Sequence, residues 1–184
     1  MRVLETDRLV LKPVEDTDLQ YLLDLRWDAG IVNYLIHEPL SYSDQIKWFN
    51  GLTKKDMPLL LWVKQEDGAL ERGGTIGLYN INQRHQTAIW KLRIDDKFQN
   101  KGFAVESAVM VFTYGFENLN LNKITGTLFA DNPGTVKMHK KLGFTNEGLL
   151  REHYYHQGSF KDCVYVGLLK RDFDKERAIS YVKR

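Results

Sequence analysis

The segment from Ala88 to Glu117 constrains this chain more than any other. Ala88 to Ile94 reads as a strand. Gln99-Asn100-Lys101-Gly102-Phe103-Ala104 then makes a tight basic turn, and a helical pattern follows at once, from about Gly102 to Glu117. Within it Val105, Ala108, Val109, Phe112 and Phe116 recur at helical spacing. The first backbone N–H groups of a helix have no intrahelical partner, and the helix dipole adds partial positive charge there. A strand that runs through such a turn into a helix is therefore a place to hold a pyrophosphate. Gly102 lacks a Cβ, so backbone and phosphate can approach closely, and Lys101 adds a mobile cation. Taken alone, the same residues also describe an ordinary solvated loop, so the rest of the chain decides.

The chain has 184 residues, enough for one domain with a sizeable core. It carries 26 basic and 24 acidic residues, a net charge of +2. That balance argues against nucleic acid as a partner and leaves room for a local basic pocket. Cys163 is the one cysteine, so no intrachain disulfide can form, which fits a reducing compartment. Met1 to Pro13 mixes Glu5, Asp7 and Arg8 into its apolar residues and lacks the apolar core of a signal peptide. No stretch has the length of uncharged apolar residues that crosses a bilayer. A soluble cytoplasmic protein without membrane contact is expected.

Along the chain, Arg8 to Val14 reads as a first strand. Asp16 is expected to cap a helix with Leu19, Leu22, Leu23 and Trp27 on one face. Gly30 to Tyr42 is loop-rich, and Ser43 or Asp44 is expected to open a second helix with Ile46, Trp48 and Phe49 on its apolar side. Leu59 to Val63 reads as a buried strand, followed by an Asp67-Gly68 turn. Gly74 to Ile81 and Ala88 to Ile94 are two more strands, joined by the polar segment Asn82 to Gln86. Beyond the Gly102–Glu117 helix come a strand, Lys123 to Phe129, and a short helix, Asn132 to Leu142, stopped by Gly143. Phe144 to Tyr155 and Lys161 to Leu169 form a terminal hairpin around Gln157-Gly158, and residues 171–184 are a charged tail, helical or disordered. The order predicts a mixed sheet rather than a parallel one.

Three segments carry a joint signal: the turn Gln99 to Ala104; Asn132-Pro133-Gly134-Thr135 with His139 seven residues after Asn132; and Lys141-Leu142-Gly143-Phe144 leading to Glu147-Gly148 and Leu150-Arg151. With Thr6 to Pro13 and Gly74-Thr75-Ile76-Gly77, they resemble the GNAT superfamily of acetyl-CoA-dependent N-acetyltransferases along nearly the whole chain. Gly148 to His153, Gln157-Gly158 and Val166 to Leu169 look like its branch of ribosomal-protein N-terminal, spermidine and aminosugar acetyltransferases. The resemblance implies an α+β fold: a single domain over residues 1–184, with a mixed, mostly antiparallel central sheet whose middle strands splay apart, flanked by helices. It implies acetyl-CoA in that split, without a metal. The backbone of Leu92, Arg93 and Ile94 would pair with the pantetheine arm. Gln99, Asn100, Lys101, Gly102, Phe103 and Ala104 would bind the pyrophosphate, and Asn132 and Thr135 would touch the arm near the thioester.

Acetyl transfer from a thioester to an amine needs a deprotonated amine, a donor for the oxyanion and an acid for the leaving thiolate. Asn132, Val136 and His139 share a helix face, and imidazole titrates near neutrality, so His139 is the candidate catalytic acid. It stands where many relatives carry a Tyr. A helix histidine that only packs is the equal alternative. Ile89 stands where many relatives carry a Glu, so a carboxylate base is missing there. His37, Glu38, His85 or a water relay are the substitutes. His153, His156 and Cys163 read as a solvated hairpin rather than a metal site. The expected activity is acetylation of a primary amine on a small molecule or peptide. A nucleotide-linked aminosugar acetyltransferase is the alternative, and a non-catalytic CoA-binding module is the rival from another class. A homodimer stays open.

Overall fold

The computed structural model describes residues 4–27 and 40–181. Two strands, β1 (Leu4–Glu5) and β2 (Leu9–Pro13), lead through a turn at Asp16–Asp18 into α1 (Leu19–Trp27). Then come α2 (Tyr42–Asn50), β3 (Met57–Lys64), β4 (Leu70–Asn82), β5 (Thr87–Ile94) and α3 (Phe103–Glu117). The chain continues as β6 (Lys123–Phe129), α4 (Pro133–Leu142), β7 (Thr145–His156), β8 (Ser159–Leu169) and α5 (Lys175–Ser180). The strands form one eight-stranded sheet in the order β1-β2-β3-β4-β5-β6-β8-β7. Every neighbouring pair is antiparallel except β5 with β6, which is parallel. This is the mixed α+β architecture that the element order predicts.

The sheet has two covered faces. Side chains alternate along a strand, and in β5 Ala88, Trp90 and Ile94 are buried while Ile89 and Lys91 are exposed. Trp90 and Ile94 face the main core with Leu9, Leu11, Leu59, Leu61, Ile76 and Leu78, under the apolar stripe of α3. The opposite face carries a smaller cluster, in which Val14, Leu19, Leu22 and Leu60 pack with Tyr21, Trp48, Phe49 and Trp62 from α1, α2 and β3.

Local chemistry explains where several boundaries differ from expectation. Helix α2 is opened by Ser41, not by Ser43 or Asp44. Ser41 Oγ accepts the Asp44 N–H at 3.2 Å, and Asp44 Oδ2 accepts the Ser41 N–H at 3.2 Å. Asp44 is thus the third helical residue of a capping box, which the spacing Ser-x-x-Asp encodes. Asp16 does not cap α1. It lies inside a turn preceded by Glu15, whose N–H donates to Asp18 Oδ2 at 3.1 Å. Trp27 leaves the apolar face and is 53% exposed, as the last residue of α1, while Leu25 is buried. Strand β4 begins at Leu70, earlier than Gly74, because Arg72 pairs with Trp62 across a bulge at Leu61/Trp62. The hairpin turns at Gln157-Gly158, both at positive φ, as predicted. The tail forms a short helix, α5, whose Ala178 is buried. The expected loop Gly30 to Tyr42 lies mostly outside the described residues, and so do the last three residues of the tail.

The core is organised around an aromatic cluster. Phe112 of α3 is fully buried and meets the Trp90 ring edge-on at 5.0 Å, Phe144 at 5.6 Å and Phe173 at 6.0 Å. Phe112 therefore joins α3 to β5 and to the segments after α4 and β8. Phe112→Ala is expected to lower the unfolding free energy by about 3–5 kcal/mol, read from the urea midpoint at unchanged slope. A loss below about 1 kcal/mol would show that the cluster contributes little.

Candidate active site

Strands β5 and β6 pair only at Thr87–Lys123, Ala88–Ile124 and Ile89–Thr125. Beyond that point β5 continues to Ile94 against β4 alone, and β6 continues to Phe129 against β8 alone. The sheet is split at its middle, as the resemblance implies. Gly126, the first β6 residue past the pairing, lies under the Trp90 indole. A Cβ there would stand 2.9 Å from Trp90 Nε1 and 3.6 Å from His139 Nε2. Trp90 and His139 thus line the floor of the split.

The backbone register says which groups face it. Asp95 N–H donates to Gly73 O at 3.0 Å, and Arg93 is the partner of Thr75. With a period of two, the N–H and C=O of Arg93 turn toward β4, while those of Trp90, Leu92 and Ile94 turn toward the split. Leu92 and Ile94 therefore have backbone aimed where the sequence reading puts the pantetheine arm. The Arg93 backbone does not, because it is turned toward β4.

The turn after β5 is braced from within. Gln99 Nε2 donates to Ile94 O at 3.2 Å and to Asp96 Oδ1 at 2.6 Å. Asn100 takes φ 60° and Gly102 φ 83°, so both residues turn the chain into α3 in the left-handed region. Gly102 is the N-cap of α3 and offers no side-chain hydrogen bond to it. The first intrahelical bond there is Glu106 N–H to Gly102 O at 3.1 Å. The N–H groups of Phe103 and Ala104 stay open to an anion, beside the exposed Lys101. Helices α2 and α4, by contrast, are capped by Ser41 and Asn132. Phe103 contributes only its backbone, because its ring is buried under the Arg8 guanidinium, 4.7 Å from the ring centre.

A buried carboxylate holds this helix end on the sheet. Glu106 is 5% exposed. It accepts from Thr6 Oγ1 at 2.6 Å and from Arg8 Nε at 2.9 Å, and it pairs with Arg8 Nη2 as well. Arg8 Nη1 also donates to Lys101 O at 3.2 Å. The link between β2 and the turn was not legible in the sequence, because its partners lie about a hundred residues apart.

The third segment forms one hydrogen-bonded chain. Asn132 Oδ1 accepts the Thr135 N–H at 3.0 Å, and His139 Nδ1 meets Thr135 O at 2.8 Å. A carbonyl can only accept, so Nδ1 carries the proton and Nε2 is bare. His139 is 6% exposed, with ring centres of Trp90 at 5.2 Å and Phe144 at 4.9 Å. Burial pushes its pKa below the ordinary histidine value, and the Thr135 carbonyl opposes the shift only in part. The imidazole is neutral at physiological pH. As the protein rests, its Nε2 has no proton to donate, which an acid would need.

On the opposite face, Ile89, Lys91 and Arg93 of β5 share one row with Tyr79 of β4. The bases named from the sequence are not gathered there. His85 is exposed in the turn before β5, with its N–H on Asn82 Oδ1 at 2.9 Å. His37 and Glu38 lie outside the described residues. What the row does carry is Lys91, which the sequence reading passed over, and the side chain of Arg93, which it named only for its backbone. The available signal was two basic residues alternating with Trp90, Leu92 and Ile94 on a strand that helices cover on both sides.

Comparison with known proteins identifies the family. The acetyltransferase (GNAT) domain family matches residues 8–145. The uncharacterised N-acetyltransferase p20 of Bacillus licheniformis is 30% identical over 179 residues, 94% of this chain and 99% of that protein. The spermidine N(1)-acetyltransferase of Escherichia coli K12 is 27% identical over 163 residues, 89% of this chain and 87% of that protein. The crystal structure of spermidine N-acetyltransferase from Vibrio cholerae, in complex with CoA and spermine, superposes with a TM-score of 0.81 at 26% identity. It covers 91% of this chain and 98% of that one. With a family match across well over half of its length, the chain belongs to the GNAT family of acetyltransferases.

Proposed function

We propose that the protein transfers an acetyl group from acetyl-CoA to a primary amine by direct attack. The observation that carries this reading is the open backbone edge of β5 beyond Ile89, which ends at the uncapped N-terminus of α3. These residues fit the co-substrate. Phe103 and Ala104 N–H with Lys101 suit the pyrophosphate, and the Trp90, Leu92 and Ile94 backbone suits the amide-bearing arm. Acetyl-CoA supplies the acetyl group as a thioester, so that a C–N bond forms as a C–S bond breaks.

The chain's own groups then have three tasks. The Trp90 and Leu92 N–H groups point into the split and are the available donors for the developing oxyanion. Trp90, Phe144 and Phe112 keep water from the floor of the split. His139 carries the proton. Its bare Nε2 takes the proton that the amine loses and, as imidazolium, gives it to the departing sulfur. This relay makes His139 the acid only after it has been the base, and it supplies the base that Ile89 does not.

Acetyl-CoA at about a hundred times its Kd should stabilise the protein by about 2.7 kcal/mol. At this length that is a rise in Tm of about 5–10 °C. Gly102→Val crowds the phosphate and strains a positive φ, and it should remove most of the rise while circular dichroism shows a folded protein. An undiminished rise in that variant would move the pyrophosphate elsewhere.

His139→Phe fills the ring's place among Trp90 and Phe144 but holds no proton. It should lower kcat by about 10²–10⁴-fold, with acetyl-CoA affinity unchanged. The relay needs neutral His139, whose pKa is lowered. In the wild type, kcat should therefore rise as pH climbs through that lowered value and then hold level through neutrality. A kcat that falls with rising pH there would mean that His139 starts as the acid, and full turnover in His139→Phe would make it a packing residue.

A further inference from the structure

Beneath α1 and α2, the face of the sheet next to the split is basic. Arg93 is partly buried, and its Nε is fully buried without a hydrogen-bond partner. Lys91, two residues back on the same face, lies with its Nζ 5.2 Å from the Tyr79 ring centre. Among the described residues neither makes an ion pair with a carboxylate. Arg26, in the last turn of α1, reaches the same place and donates from Nε to Gln45 Oε1 at 3.2 Å. Gln45 is fully buried, and its Nε2 also lacks a partner.

The cations repel one another. Burial and then the Arg26 charge hold the Arg93 guanidinium down to about 10, and burial with the charges of Arg93 and Arg26 lowers Lys91 as well. Burial pushes Tyr79 up to about 12, so it stays a neutral phenol and supplies no counter-charge. Asp56 acts on Lys91 from a distance, but its carboxylate is engaged by the Asn80 and Thr53 N–H groups. A buried donor without a partner such as Arg93 Nε is costly, and an arriving anion would relieve that cost.

Two substrates must meet at the split. The α3 side holds the pyrophosphate turn and His139, which leaves the α1/α2 face for the amine. On the acetyltransferase reading, we propose that the acceptor is a small amine that also carries an anionic group, phosphate or carboxylate, bound by Arg93 and Lys91. The same cations select against a polyamine, whose further positive charges would face them. Arg93 offers paired N–H donors with the fork geometry that suits either anion, and Lys91 adds a point charge.

The test uses amines matched except for the anion. Glucosamine 6-phosphate is set against glucosamine, and 4-aminobutyrate against butylamine, with spermidine as the polycation. Release of CoA is measured at saturating acetyl-CoA. The anionic member of at least one pair should have a kcat/KM about ten- to a hundred-fold higher, the worth of one charge-assisted hydrogen-bonded pair. Whichever pair shows it identifies the anion. Arg93→Met and Lys91→Met should each shrink that advantage through KM while leaving acetyl-CoA affinity unchanged.

A second readout does not depend on turnover. In CoA-saturated protein the preferred anionic amine should raise Tm, its counterpart without the anion should not, and Arg93→Met should abolish the rise. Spermidine as the best acceptor, an anion advantage that survives in both variants, or no Tm response to either anionic amine would overturn the proposal. Absence of CoA release with every amine, alongside an Arg93-dependent Tm rise, would instead count against the acetyltransferase reading and leave the anion site standing.

Discussion

Everything functional in this fold depends on the place where β5 stops pairing with β6. Up to Ile89 and Thr125 the two strands share a parallel ladder, and one residue later they part. At that point the Trp90 indole lies close over Gly126, 2.9 Å from where a Cβ would stand. Trp90 is itself fixed by Phe112, Phe144 and His139. A sheet interior does not leave backbone donors and acceptors idle without cost, so a split this deep in a sheet asks for a ligand with amides of its own. The aromatic cluster is what allows the protein to keep that request open while folded.

The second requirement is that the end of β5 and the start of α3 keep one geometry. Glu106 secures it from inside the first turn of the helix. It gathers Thr6 and Arg8 from the segment between β1 and β2, and Arg8 in turn holds the Lys101 carbonyl. A carboxylate near a helix N-terminus is favourable in itself. Here it faces the sheet, which leaves the outer N–H groups of Phe103 and Ala104 unspent. The contacts that position the turn and the N–H groups left open are thereby kept on two sides of the same helix turn.

The sequence made much of this visible. The strand, basic turn and α3 stripe were readable because periodicity, glycine and charge change within thirty residues. The split was legible only through resemblance, since no local pattern announces that a parallel pair will part after Ile89. Ser41 was passed over as a cap although its partner Asp44 stands three residues on. His139 was placed near the reacting centre by helical spacing, but its protonation state was not readable. That state is set by the Thr135 carbonyl and by rings from β5 and from the segment after α4. Lys91 and the side chain of Arg93 went unnoticed because alternating charges on a strand usually face water. Here helices cover both sides of the sheet, and the meaning of the pair depends on α1 and α2 lying above it.

The central claim is that acetyl-CoA completes the open edge of β5 and the bare start of α3. Amide hydrogen exchange tests it most directly, because it reads the backbone groups themselves. With saturating acetyl-CoA, exchange should slow at Trp90, Leu92 and Ile94 and at Phe103 and Ala104. Arg93, whose amide is already spent on β4, should change far less, and the distant β2–β3 pairing should not change. Uniform slowing across the sheet, or slowing confined to other elements, would contradict the account and place the co-substrate outside the split.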